Sequence, residues 1–176
     1  MIRLGFNSVA LYPNTGIHIQ IAGGELHFLG TCNIGNNSFI AVGKHGKLIF
    51  GDNFRATSSV KIACQHEITF ESNVLCGWET MFVDSDFHRL KNADGSERTT
   101  KPYGPIHVGE GCWFGFKSVV MKNNVIPRCC VVSQNSIVLK SNDIKEYSLL
   151  AGQPAQVIKS GVYRDFRDDT IEYNKK

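Results

Sequence analysis

Several features of the common chain classes are scarce or missing in this sequence. Only five prolines occur in 176 residues, and 42% of the chain is hydrophobic against 20% charged, the balance of one folded soluble domain. No apolar run reaches membrane-spanning length, and the N-terminal MIRLGFNSVALYPN has no uninterrupted signal-peptide core, so the expected location is cytoplasmic. The formal charge is only +3 and dispersed; with no basic run or base-stacking motif, nucleic acid is excluded as the main partner. Six cysteines include no CxxC pair and six histidines include no HxxxxH spacing. A disulfide framework and a catalytic zinc are therefore not expected, and no metal is assigned.

What is present is a period of six. Large apolar residues recur at Val108, Phe114, Val120, Ile126, Val132, Val138 and Ile144, and a small residue stands two places before the later six: Cys112, Ser118, Asn124, Cys130, Ser136 and Asn142. Residues two apart on an extended chain share a face, so each unit reads as a short strand with two inward side chains and then a turn. The small residues repeat again after eighteen, Cys112 as Cys130, Ser118 as Ser136 and Asn124 as Asn142. Three strands thus make one circuit, which describes a parallel β-solenoid of triangular section with a possible Asn ladder between coils. The cysteines fall on inward positions and read as small core residues.

Upstream the pattern is weaker but recognisable. IHIQIAGGELHF alternates from Ile17, unit starts follow at Ile34-Gly35 and Phe50-Gly51, and the register slips near Lys44 to Leu48 and at Gln65-His66. Phe70, Cys76 and Phe82 restore it. The period then stops at Asp84, Asp86 and His88, and the polar stretch 89–104 reads as a loop thrown from one corner with the composition of a flap. The sixfold pattern returns at Pro105 to Val108. After Ile144 a Gly-Gln-Pro ends the coil, and Tyr163 to Tyr173 reads as a short helix or a docked tail.

The block PIHVGEGCWFGFKSVVMKN, followed by NSIVLK and YSLLAGQPAQVIK, and preceded by DSDFH and its loop, resembles the hexapeptide-repeat acyltransferases, most closely their sugar and xenobiotic O-acetyltransferase branch. The resemblance spans about Leu48 to Lys159. It implies a left-handed parallel β-helix over residues 1–160 with a tail at 161–176, a homotrimer, and acetyl-CoA in a groove between neighbouring subunits.

His88 matches the family's catalytic histidine, which takes the proton of the acceptor hydroxyl. An imidazole of ordinary pKa near ~6.5 suits that task, and a base of this kind contributes ~10²–10⁴ in rate. Asp84 and Asp86 alternate with His88, so an extended backbone would project all three from one side, where a carboxylate can orient the ring or bind the acceptor. Trp113 faces outward next to an inward residue and, by the resemblance, lines the acceptor site or an interface. The resemblance places cofactor contacts on Gly115, Phe116, Gln134, Leu139, Lys140 and Lys159, the two lysines being the phosphate candidates. Phe116 and Gln134 are bulkier than the family's usual small residues, and the turns LysAsnAsn and ProArgCys lack its glycines. His66 and His107 are further acceptor-site candidates, with ordinary surface roles as the simpler reading.

The functional reading is an acetyl-CoA-dependent O-acetyltransferase of a sugar hydroxyl, in surface polysaccharide or lipopolysaccharide assembly, acting by direct transfer. An N-acetyltransferase of an amino-sugar nucleotide is the close alternative, since the same base would serve an amine. A non-catalytic solenoid scaffold is the alternative of another class.

Overall fold

A computed structural model of the chain describes residues 1–7, 9–140 and 143–167, and it coils as the six-residue pattern requires. The result is a left-handed parallel β-helix of about six turns. Its first face stacks Ile2–Phe6, Cys32–Gly35, Phe54–Ala56, Leu75–Cys76, Trp113–Phe114, Val131–Val132 and Ser148–Gly152. The second face stacks Ile17–Ile21, Ser38–Val42, Lys61–Cys64, Met81–Val83, Val119–Met121 and Ile137–Val138. The third carries Glu25–Phe28, Lys47–Phe50, Glu67–Phe70, Ile106–Val108 and Asn124–Ile126.

Register confirms the eighteen-residue circuit, because Trp113 pairs with Val131, Val131 with Leu149, and Val119 with Ile137. A final strand, Ala155–Ser160, turns back antiparallel on Ser148–Gly152. It covers the last open edge of the first face, which would otherwise offer unpaired backbone groups to another chain.

The inward positions form one apolar column. Phe70, Cys76, Phe82, Val108, Phe114, Val120, Ile126, Val132 and Val138 are each no more than 1% exposed. Phe50 stacks between Phe28 and Phe70 with ring centroids 5.4 Å away on both sides, and Phe82 bridges edge-on from Phe70 to Phe114. Each such ring contributes about 1.5–3 kcal/mol by leaving water. The small partners Cys112, Ser118, Asn124, Cys130 and Ser136 are buried beside them, and all six cysteines are free buried thiols.

Three details correct or complete the sequence reading. Asn124 makes no ladder that the described residues show: its side-chain amide donates to the carbonyls of Met121, Lys122 and Val138 at 2.7, 3.2 and 3.3 Å, and Asn142 lies outside the described residues. An asparagine pair forms instead at another corner, where Asn53 donates to Asn73 at 2.9 Å. The loop after His88 is built rather than featureless, as described below. Of the two readings of the tail, a short helix or a docked tail, the part described to Arg167 takes the second. It docks along the corner between the third and first faces, with the Val162 N–H donating to the Tyr147 carbonyl, Tyr163 edge-on to Tyr147, and the Arg164 guanidinium donating to the Asn73 carbonyl at 2.6 Å. Residues 168–173 of the proposed helix lie outside the described residues.

Candidate active site

The corner between the second and third faces is where the chain leaves the coil, after Met81–Val83, and returns to it at Ile106–Val108. Asp84 fixes the point of departure. It is fully buried, and its two carboxylate oxygens accept the backbone N–H groups of Gln65 and His66, each at 2.7 Å, from the coil below. A carboxylate in that position holds two otherwise orphaned donors of the preceding corner.

Beyond it the excursion doubles back as a two-stranded arm. Ser85 bridges Tyr103, the Asp86 N–H donates to the Pro102 carbonyl at 2.7 Å, and Lys91 bridges Glu97 near the tip. The tip is a tight turn closed by Asn92, Asp94, Gly95 and Ser96. Arg89 and Lys91 each approach the Glu97 carboxylate at 3.4 Å.

Asp84, Asp86 and His88 do not share one side. Asp84 turns into the coil, Asp86 is half-buried and His88 is exposed, and the positive φ of 58° at Phe87 breaks the extended run between Asp86 and His88. Asp84 is therefore an anchor of the corner, with no oxygen directed to an acceptor. The Asp86 carboxylate pairs with the Lys122 ammonium at 3.3 Å. His88 is exposed, and its ring makes no hydrogen bond with any described residue.

Around this root lie three shallow pockets. Asp86 and Arg89 line one of about 380 Å³ together with Arg98, Lys101, Tyr103 and Lys122, while His88, between them in the chain, is not among its walls. A second, of about 440 Å³, shares Arg98, Lys101, Tyr103 and Lys122 with the first and extends to His66 and Asn123. A third, of about 300 Å³, joins Asp86 and Lys122 to Leu139 and Lys140 in the next coils. Lys122 borders all three.

The structure thus brings Asp86, His88, Leu139 and Lys140 to one corner. Gly115, Phe116 and Gln134 stand at a different one, between the first and second faces, where Phe116 is 43% exposed and lies 6.4 Å ring to ring from Trp78. Gly115 is explained by stacking alone, since a Cβ there would meet the Gln134 backbone nitrogen at 2.5 Å. Trp113 projects from the first face, 40% exposed, with Leu75 and Val131 as strand neighbours. Lys159 is on the terminal antiparallel strand opposite Leu149. Within one chain these sets do not form one site.

Sequence reasoning passed over Lys122, Arg98, Lys101 and Tyr103. Only the corner register of Lys122 was available as a signal, since the arm has no period from which a fold-back can be read. His66 does reach this region, with its ring 5.0 Å from that of Tyr103, whereas His107 pairs with Glu71 at 2.9 Å on the third face. Among the described residues no three metal-ligating side chains cluster, and no helix is long and apolar enough to cross a membrane.

The coil and its excursion define the class of fold: a left-handed parallel β-helix with a hairpin arm at one corner. Comparisons with known proteins point the same way. A provisionally named acetyltransferase of Staphylococcus aureus (strain COL) is 31% identical over 95 residues, 54% of this chain and 43% of that protein; the chain therefore spans less than half of that relative. Among solved structures, a variant of the Bacillus cereus N-acyltransferase AntD, in complex with dTDP-4-amino-4,6-dideoxyglucose and coenzyme A, superposes with a TM-score of 0.63 at 17% identity, over 86% of this chain and 82% of that one. The polySia-specific acetyltransferase NeuO gives 0.58 at 17%, over 90% and 81%. No protein-family model matches the chain.

Proposed function

We propose that this chain is an acetyl-CoA-dependent acetyltransferase that acetylates a sugar hydroxyl, with His88 as general base. The observation that supports it best is the root of the arm, where the exposed His88 imidazole, without a hydrogen-bond partner among the described residues, lies in the chain next to Arg89 and two places after Asp86, both of which line an open pocket. In the reaction, the acceptor oxygen attacks the thioester carbonyl as its proton passes to the His88 imidazole. A tetrahedral intermediate forms, the C–S bond breaks, and the proton is delivered to the departing thiolate, so one ester and one thiol result. Asp86, tied to Lys122, borders the acceptor pocket, and Lys140 supplies positive charge at the same corner for a donor phosphate.

The expected donor contacts at Gly115, Phe116 and Gln134 belong to the other corner of the second face. That face carries a shallow apolar depression of about 290 Å³ including Phe39, Ala41, Ala63, Met81 and Val83. In this reading three copies associate around it. The Phe116 corner of one then stands beside the His88 corner of its neighbour, which completes a groove that a single chain lacks.

The test is an acceptor screen with acetyl-CoA, read by mass spectrometry of the product. Hydroxyl sugars, amino-sugar nucleotides and a no-acceptor control are run in parallel. Ester formation on a sugar hydroxyl supports the proposal, an amide on an amino sugar would replace it with the N-acetyl alternative, and no product with any acceptor would leave the scaffold reading.

A further inference from the structure

The pocket between the arm and the coil has an unbalanced charge. Of about 440 Å³, it is bordered by Arg98, Lys101, Lys122 and His66, by the polar Thr100 and Asn123, and by the ring of Tyr103, with no carboxylate among its walls. The carboxylates of the neighbouring pocket are Asp86 and Glu97, and both are committed, Asp86 to Lys122 and Glu97 to Arg89 and Lys91. Arg98 and Lys101 form no ion pair with any described residue, and Lys101 instead sits 5.8 Å from the Tyr103 ring centroid. Lys122 is held in place from two sides, 3.3 Å from Asp86 and 3.3 Å from the Lys101 carbonyl. Arg98 and Lys101, brought together without a paired carboxylate among the described residues, repel one another, and an anion seated between them removes that repulsion.

We propose that this pocket is an anion seat for the acceptor, so that the sugar carries a phosphate or carboxylate gripped by Arg98 and Lys101 while its ring lies against Tyr103. The assignment rests on the acetyltransferase reading for the word acceptor, but the seat itself does not. Arg98 presents a planar fork of donors suited to a two-oxygen group, and Lys101 adds a point charge beside it. The arm places this seat on the same segment as His88, so an anion held there fixes how far along the sugar the reacting hydroxyl lies.

Two arms test this. In the binding arm, calorimetry measures inorganic pyrophosphate and glucuronate against the wild-type chain, Arg98→Gln/Lys101→Met and His88→Ala. Binding by the wild type and by His88→Ala, weakened ~10- to 100-fold in the double variant and weakened further as salt rises, is the expected result. In the turnover arm, thiol release is compared for a neutral hexose, its phosphate ester and its uronic acid. The double variant should raise KM for the charged acceptors ~10- to 100-fold with KM for acetyl-CoA within twofold. Anion binding without turnover on any acceptor would overturn the acetyltransferase reading and leave the seat intact. Turnover that favours the neutral hexose, or a double variant that raises KM for acetyl-CoA instead, would overturn the seat as an acceptor site; equal anion binding by wild type and double variant would overturn the seat itself.

Discussion

At the scale of single residues, burial decides more than residue type does. Two aspartates and a histidine two places apart look equivalent in sequence, yet Asp84 is sealed in the corner while Asp86 is half-buried and His88 exposed. The cysteines show the same logic. Burial pushes the thiols of Cys32 and Cys64 from 9.0 up to about 12, with the Asp84 charge adding to the effect at Cys64, because a thiolate in an apolar column has lost its water. Cys112 and Cys130 face each other in successive coils; Cys112 is likewise raised, first by burial and then by Cys130. Between the ordinary thiol pKa and the raised one, the unfolded chain releases protons that the folded chain keeps. The stability linked to the Cys32 and Cys64 thiols is thus fully present below pH 9 and falls as pH rises toward 12. Each contributes a loss on the order of 1 kcal/mol per pH unit in that window. Tyr12, raised from 10.0 to about 12 by burial and then by its hydrogen bond to Glu79, acts in the same direction above pH 10. Denaturant midpoints at pH 8 and 10.5 measure this: a clear fall is expected, and a flat profile would mean the thiols ionise in place.

At the scale of elements, the arm depends on its anchor. Asp84→Ala leaves the Gln65 and His66 N–H groups without their carboxylate in a half-buried corner, at a cost of about 1 kcal/mol for each group. The expected outcome is a lower denaturation midpoint and a loosened arm root, seen as faster hydrogen exchange at residues 65 and 66; an unchanged midpoint would show that water replaces the carboxylate. The coil itself was legible, because alternation fixes which side chain points inward and the hexad fixes where the chain turns. Glycine-poor corners did not disrupt it, since Lys117, Asn123 and Cys129 adopt φ near +60° without glycine. The arm was not legible. Its two bridges join residues with no shared period, Ser85 to Tyr103 and Lys91 to Glu97, and a single sequence carries no signal for which polar residues meet across a fold-back. The docking of Arg164 on Asn73, ninety-one residues away, is hidden for the same reason.

At the scale of the whole molecule, the candidate residues flank one face from both sides. His88, Asp86 and Lys140 stand at one corner of the second face and Phe116 with Gln134 at the other, while Phe39 on the face between them is 46% exposed. Apolar surface on a flat sheet face is stable when a copy covers it. Under the proposed three-copy assembly, sedimentation equilibrium gives three times the 19.6 kDa of this chain, and Phe39→Glu shifts the mass toward one copy. A monomeric wild type would remove the shared groove from the account.

The account's central claim is that the imidazole at the root of the arm moves the acceptor's proton. The most direct measurement is the single-turnover rate of acetyl transfer in wild type and His88→Ala, with saturating acetyl-CoA and the best acceptor of the screen. A loss of ~10²–10⁴-fold with acetyl-CoA binding retained is the predicted result; a rate within threefold of wild type would contradict it.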